Sequence, residues 1–189
     1  MPTALFSVYD KEKNLSFARA LAQMNWRILA SDGTARAFTA AGLAVISISA
    51  LTGSPEVLDG RVKTFHPAIY AGILARAKPE HFSDLARVQA ILIDLVMVDL
   101  PSFPHPNLRY DDMVENINVG GAELLRAAAK NYQRVTAIVD PGDQPDVLAE
   151  LRAQGQTALS TRKTLAVKAF RRISAYDAQV ADTLESTEG

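Results

Sequence analysis

The chain has 189 residues, enough for one domain with a sizeable hydrophobic core. Its 20 lysine and arginine residues nearly balance 21 aspartate and glutamate residues, and a net charge of −1 gives no indication of nucleic acid or an anionic membrane as a partner. The sequence has no cysteine, which excludes disulfides, thiol catalysis and cysteine-ligated zinc.

Short β-rich runs alternate with helical patterns along the first half of the chain. Residues 3–8 are apolar and predict a buried strand rather than a signal peptide, because no basic leader precedes them. Further strands are predicted at residues 27–30 and 45–48, with a helix after the first strand that begins near Asp10. A second helix is predicted over residues 35–41, ending at Gly42. No apolar stretch approaches the roughly 20 residues of a membrane span, so we expect a cytoplasmic protein.

The second half continues the same alternation after an irregular region at residues 52–67. Strands are predicted at residues 92–98 and 135–139, and an alanine-rich helix at residues 122–131. Between them, Pro101, Pro104 and Pro106 predict a loop at residues 101–107. This rhythm predicts an α/β fold, mainly a parallel sheet flanked by helices, in a single domain over residues 1–184.

The C-terminal third predicts one long amphipathic helix. Between residues 161 and 184, apolar residues recur at spacings of three and four, namely Leu165, Ala169, Ile173, Tyr176, Val180 and Leu184. The apolar stripe has two open interpretations: it packs on the chain's own sheet, or it joins a second subunit. Residues 185–189 are expected to form a frayed, disordered tail.

Two loops that follow predicted strands carry small or basic residues. They are residues 7–11, with Ser7 and Lys11, and residues 31–34, with Ser31, Gly33 and Thr34. Hydroxyls and a glycine before a helix N-terminus suit an anion, and ligands of open α/β sheets bind at the carboxyl ends of strands. The alternative is that the hydroxyls merely cap helices.

The segment Gly60-Arg-Val-Lys-Thr-Phe-His-Pro67 is a third candidate. If Arg61 and Lys63 are extended, they point to the same side, where two cations and the Thr64 hydroxyl would suit a phosphate. The alternative is a solvated basic edge. The glycine spacing does not match a Walker loop.

A fourth candidate precedes the alanine-rich helix, where Gly120 and Gly121 leave backbone amides free to hold a carbonyl oxygen or oxyanion. Lys130, among small residues of that helix, is either a tuned functional lysine or a partner of the helix dipole. The histidines His66, His81 and His105 lack ligand spacing, so no metal site is predicted, and His81 is expected to be simply exposed.

The combination resembles IMP cyclohydrolase, the N-terminal domain of the bifunctional AICAR transformylase/IMP cyclohydrolase. The resemblance rests on residues 60–67, on Ala71-Gly-Ile-Leu-Ala-Arg76 and on Leu125-Arg-Ala-Ala-Ala-Lys-Asn131, with support from residues 5–11, 31–34 and 51–59. It runs from about residue 4 to residue 184. The transformylase half is not included, because 189 residues are too few to hold it.

The resemblance implies a methylglyoxal-synthase-like fold, a homodimer, no metal or organic cofactor, and a separate AICAR transformylase as a candidate partner. It implies that a formamido-imidazole-carboxamide ribonucleotide is closed to IMP with loss of water. Lys63 and Lys130 match the family's catalytic lysines, and Asn118 occupies the position of its proton-handling aspartate. The residues that match the family's substrate contacts are Ser7, Lys11, Ser31, Gly33, Thr34, Arg61, Lys63, Thr64, Val119, Gly120 and Gly121.

Three positions depart from the family pattern. Pro101 replaces a site tyrosine, Asn118 replaces the aspartate, and Asp32 replaces a glycine and adds negative charge beside the proposed phosphate. They leave two alternatives to the cyclohydrolase. One is a non-catalytic purine-nucleotide or phosphate-binding domain that has lost its base. The other is a lyase of a phosphate substrate like methylglyoxal synthase, with Asp10 or Asp32 as its carboxylate.

Overall fold

A computed structural model describes residues 1–103 and 109–186 of the chain. The predicted loop prolines Pro104 and Pro106, together with His105, lie outside the described residues, as do residues 187–189 of the predicted tail. In the described part of the chain, no helix combines the length and the apolarity that a membrane crossing requires.

The sheet has five parallel strands in the order β3-β2-β1-β4-β5, which confirms the predicted α/β class. Its strands are β1 (Thr3–Phe6), β2 (Arg27–Ala30), β3 (Ile46–Ser47), β4 (Leu95–Met97) and β5 (Thr136–Ile138). The central strand, β1, is wholly buried, as expected of a parallel sheet covered on both faces.

Nine α-helices surround the sheet within the described ranges. They are α1 (Lys11–Gln23), α2 (Asp32–Ala40), α3 (Ile48–Thr52), α4 (Pro67–Leu74), α5 (Pro79–Arg87), α6 (Tyr110–Glu115), α7 (Val119–Lys130), α8 (Gln144–Gln154) and α9 (Leu159–Ser186). Two 3-10 turns, Leu58–Gly60 and Pro141–Asp143, complete the elements. The helix α2 begins at Asp32, so the predicted loop at residues 31–34 lies mostly in its first turn.

Residues of β1 point alternately into two apolar clusters, one on each face of the sheet. Leu5 packs in the cluster that α4, α7 and α9 cover, whereas Phe6 packs in the cluster of α1, α2 and α8. The ring of Phe6 meets Phe17 and Phe38 edge to face, with ring centroids 6.0 and 5.6 Å away. Both faces of the sheet are therefore covered by the chain's own helices, and the carboxyl ends of the strands are left open to form a site.

The long C-terminal helix packs against the sheet and α7. Leu165, Ala169, Ile173 and Tyr176 of α9 are buried, which supports the first of the two interpretations of its stripe. At the C-terminal end of α9 the apolar stripe is no longer buried, since Leu184 is 41% exposed. The helix continues to Ser186, so the predicted tail is helical for its first two residues, 185 and 186.

Candidate active site

A cleft of about 600 Å³ opens at the carboxyl ends of β1 and β2, where it also meets the first turn of α7. Most of the residues predicted to bind substrate line it. They are Ser7, Lys11, Ser31, Gly33, Thr34, Arg61, Lys63, Val119 and Gly120, together with Asn118. Segments far apart in sequence thus meet at one edge of the sheet, as the strand topology requires.

The loop from β1 to α1 is held from behind by Asp99, which follows β4. One carboxylate oxygen accepts a hydrogen bond from the Tyr9 amide, and the other accepts from the Asp10 amide at 3.0 Å and Asn14 Nδ2 at 3.1 Å. Burial raises the pKa of Asp99, although the bonds from these amides oppose the shift. Asp10 also caps α1, as predicted, by accepting from the Lys13 amide at 3.1 Å. The carboxylate of Asp99 therefore fixes the loop that carries Ser7 and Lys11.

The hydroxyls of the second loop bind protein atoms. Ser31 Oγ donates to Thr34 Oγ1 at 3.2 Å, and Thr34 Oγ1 in turn bonds the backbone of Val8 through N at 3.3 Å and O at 3.4 Å. Asp32 is not part of the cleft lining, and its Oδ1 accepts from the Ser49 amide and hydroxyl at 3.3 and 3.0 Å. The carboxylate of Asp32 is therefore engaged by Ser49, although its neighbours Ser31 and Gly33 line the cleft, so its effect on a bound phosphate stays a prediction.

The basic segment reaches the cleft by a turn rather than by extended backbone. Leu58, Asp59 and Gly60 all have positive φ, and Arg61 that follows is α-helical, with φ −63° and ψ −29°. The premise of an extended Arg61 is thus wrong, yet Arg61 and Lys63 both line the cleft. The Arg61 guanidinium makes a two-pronged ion pair with Glu115, whose hydrogen bonds, together with its charge, raise the pKa of Arg61.

Only one of the three amides predicted at the start of α7 is free to meet a ligand. The Val119 amide donates to Ile117 O at 3.1 Å, and the Gly121 amide donates to Asn118 Oδ1 at 2.8 Å. The Gly120 amide has no hydrogen-bond partner among the described residues. A Cβ at Gly120 would lie 2.6 Å from Thr64 Oγ1, so only glycine allows this approach. Thr64 and Gly121 lie behind the cleft lining, and Thr64 Oγ1 is buried without a partner in the described structure.

Asn118 caps α7 at the edge of the cleft. Besides its side-chain bond to Gly121, its amide donates to the Tyr176 hydroxyl at 2.7 Å. Pro101, at the position of the family tyrosine, lines the same cleft. Both of these departures from the family pattern therefore lie in the lining of the cleft.

Lys130 lies apart from the other predicted catalytic residues. It is the last residue of α7, about 15 Å along the helix axis from Gly120 at 1.5 Å per residue, and it is exposed. The structure therefore does not bring Lys130 together with Lys63 or Asn118 in this chain. Its position matches the dipole-partner interpretation of the sequence.

The two described histidines accept hydrogen bonds from backbone amides and lie outside the cleft lining. His66 Nδ1 accepts from the Ala68 amide at 3.2 Å and caps α4, and His81 Nδ1 accepts from the Arg76 amide at 2.9 Å. The predictions from sequence did not include Arg36, Glu56 and Glu115, which line the cleft. The signal for Arg36 was its spacing of three from Gly33 at a helix start, which puts both on one face.

The fold and the cleft define a class: an α/β domain with a ligand site of polar loops and four cationic side chains at the carboxyl edge of a parallel sheet. Comparison with known families matches residues 13–123 to the model described as MGS-like domain and residues 128–189 to that of the AICARFT/IMPCHase bienzyme. The chain belongs to the MGS-like domain family. This confirms the resemblance drawn from its motifs.

Similar proteins point the same way. The bifunctional purine biosynthesis protein PurH of Streptococcus suis (strain 05ZYH33) is 48% identical over 95% of this chain, and that of Halalkalibacterium halodurans is 46% identical over 98%. The chain spans little more than a third of these relatives, 36% and 37%. A crystal structure of ForH superposes with a TM-score of 0.86 at 38% identity, covering 95% of this chain and 97% of that one.

Proposed function

We propose that the chain is an IMP cyclohydrolase, closing the six-membered ring of IMP from a 5-formamido-imidazole-4-carboxamide ribonucleotide at the end of purine biosynthesis. The observation that carries the proposal is the cleft, in which loops from four parts of the chain bring together most of the residues that match the family's substrate contacts. The similarity to bifunctional purine biosynthesis proteins supports it.

The reaction joins the carboxamide nitrogen to the formyl carbon and expels the formyl oxygen as water. One proton of that water comes from the carboxamide nitrogen and the other from the formamido nitrogen, so the step needs proton transfer but no oxidant or reductant. Holding the two groups in contact accounts for much of the acceleration. Charge that develops on the formyl oxygen needs donors, for which Lys63 and the free Gly120 amide are placed at the cleft.

The cations of the cleft supply the complement to an anionic nucleotide. Lys11, Arg36, Arg61 and Lys63 outnumber the three carboxylates that also line it, Glu56, Asp59 and Glu115. The whole chain is nearly neutral, so this excess is local to the cleft. It favours a phosphate ester over a neutral nucleoside.

Turnover tests the proposal directly. We expect the purified protein to convert the formamido nucleotide to IMP, followed by ultraviolet absorbance. Lys63→Met should slow the reaction by about a hundredfold or more if Lys63 stabilises the developing charge. Lys163→Met, which removes an exposed lysine of α9 outside the cleft, is the matched control and should leave it unchanged. Nucleotide binding without turnover in the wild type would favour the non-catalytic binding domain instead.

We further propose that the protein acts as a homodimer in the cytoplasm, on the same pathway as an AICAR transformylase. Exposed apolar side chains support a second subunit at two places: Val167 and Phe170 on the outer face of α9, and Val57, Leu58 and Val62 beside the cleft. Light scattering at tens of micromolar should give twice the chain mass, and Phe170→Glu or Leu58→Glu should shift it towards the monomer. A monomeric wild type would contradict the dimer.

A further inference from the structure

Four cationic side chains line the cleft, and two of them are already engaged. Arg61 is paired with Glu115. Lys11 Nζ donates to Tyr9 O at 2.9 Å and lies 5.7 Å from the centroid of the Tyr9 ring. Among the described residues, neither Arg36 nor Lys63 forms an ion pair. Two positive charges therefore face the cleft without a carboxylate partner.

Arg36 folds back over the start of its own helix. It lies in the second turn of α2, and its Nη2 is 3.8 Å from the point that a Cβ on Gly33 would occupy. Helical side chains lean towards the N-terminus, so the absence of a side chain at Gly33 leaves room there for the guanidinium and for a ligand group. The guanidinium is thus held at the end of the cleft where Ser31 and Gly33 line it.

The surroundings of Arg36 give it no internal role that would explain this position. The nearest acidic residue in sequence, Asp32, is bound to Ser49 and forms no ion pair with Arg36 among the described residues. The hydroxyls of Ser31 and Thr34 bond to each other and to Val8, so they supply little positive potential to an anion. A positive charge that meets an anion at that end of the cleft therefore has to come from a longer side chain, and the guanidinium of Arg36 lies there.

We propose that Arg36 is a further substrate-binding residue, which contacts the phosphate of the nucleotide and makes the site select nucleotides over nucleosides. The assignment rests on the proposed function, because it needs a phosphorylated ligand in the cleft. A guanidinium presents a planar fork of N–H donors that matches two phosphate oxygens, which an ammonium group cannot reproduce. Arg36 would form this fork without first breaking an ion pair, whereas Arg61 has to leave Glu115.

Calorimetry with IMP and inosine tests the assignment, since the two ligands differ only in the phosphate. Arg36→Ala should weaken IMP binding about tenfold, the loss of one partly screened charge-assisted contact. Arg36→Lys should retain part of the affinity. The affinity for inosine, obtained from displacement of IMP by inosine at high concentration, should be the same for wild type and every variant. Arg152→Ala, which removes an exposed arginine of α8 outside the cleft, is the matched control.

Each outcome decides a different question. If wild type binds IMP and Arg36→Ala binds it equally well, the assignment is overturned while the proposed function stands. If Arg36→Ala weakens inosine by the same factor as IMP, the residue shapes the cleft and does not read the phosphate, which also overturns the assignment. Failure of the wild type to bind IMP at all would overturn the proposed function, and the assignment with it.

Discussion

Restoring a carboxylate at the start of α7 is the most informative perturbation of this site. Asn118 lines the cleft and caps the helix through Oδ1, while a neutral amide cannot take a proton from the substrate. In Asn118→Asp, one carboxylate oxygen can keep the bond to the Gly121 amide, now 2.8 Å long, and the other replaces Nδ2. Aspartate and asparagine cap helices equally well, so the free energy of unfolding should change by less than about 0.5 kcal/mol.

The structure sets the size of the expected gain. General-base catalysis contributes about 10²–10⁴ in rate where the base is fully effective. Here the Gly121 bond and the positive end of α7 would both lower the pKa of the new carboxylate, which keeps it ionised but makes it a weaker base. Lys130 of the same chain, at the other end of the helix, is too far away to be its charge partner. We therefore expect a gain below that range, about tenfold, with the affinity for IMP little changed.

Initial rates of IMP formation, measured by absorbance at saturating substrate, give the comparison. Asn116→Asp is the matched control, since Asn116 also lines the cleft and the variant adds the same charge two residues away. Only Asn118→Asp should accelerate the reaction. Equal rates for wild type and Asn118→Asp, in a wild type that already turns over briskly, would show that another group is the base.

Two other perturbations test how charge is arranged around the cleft. Glu115→Gln should tighten IMP binding severalfold by calorimetry, because Arg61 loses its competing carboxylate. Glu123→Gln, which removes a carboxylate that pairs with Arg126 outside the cleft, should leave IMP binding unchanged. Weaker IMP binding by Glu115→Gln would contradict this role. Asp99 has a pKa raised by burial, so the stability it contributes is present below its unfolded pKa and is lost as pH rises through the folded value. Urea unfolding from about pH 3 to about pH 7 should therefore show wild type losing stability relative to Asp99→Asn as pH rises, and a constant difference would refute it.

The predicted architecture followed from periodicity, and its errors have local causes. The buried strands and the long C-terminal helix were predictable because their apolar residues recur at the spacing of the element. The helices α3, α4, α5, α6 and α8 were missed, and three of them, α4, α5 and α8, have proline in the first turn. Proline marks a break in the sequence pattern but is favourable at the start of a helix.

Most of the residues that line the site could be predicted from the sequence, but the hydrogen bonds and ion pairs that they form could not. Sequence identified the loops because a glycine or a basic pair stands out in the chain, but it could not show that Ser49 binds Asp32 or that Glu115 pairs with Arg61. Such partners lie up to 54 residues away, and no local pattern encodes them. The position of Lys130, at the opposite end of α7 from the residues that line the cleft, could not be predicted because a motif records order along the helix and not the end that faces a cleft.

The central place of the first strand has a consequence for how the chain folds. β1 can pair with β2 early, because Ala4 lies opposite Ile28, which is near it in sequence. The other edge of β1 can pair only once β4 is available, because there Ala4 lies opposite Leu95. Until those later residues are available, the strand at the middle of the finished sheet is an open edge with unpaired N–H and C=O groups. Pairing across such a separation is slow because the closed loop is long. Partly made or slowly folding chains are therefore at greatest risk of aggregation through β1, and variants that weaken β4 should prolong that risk even where the finished protein is stable.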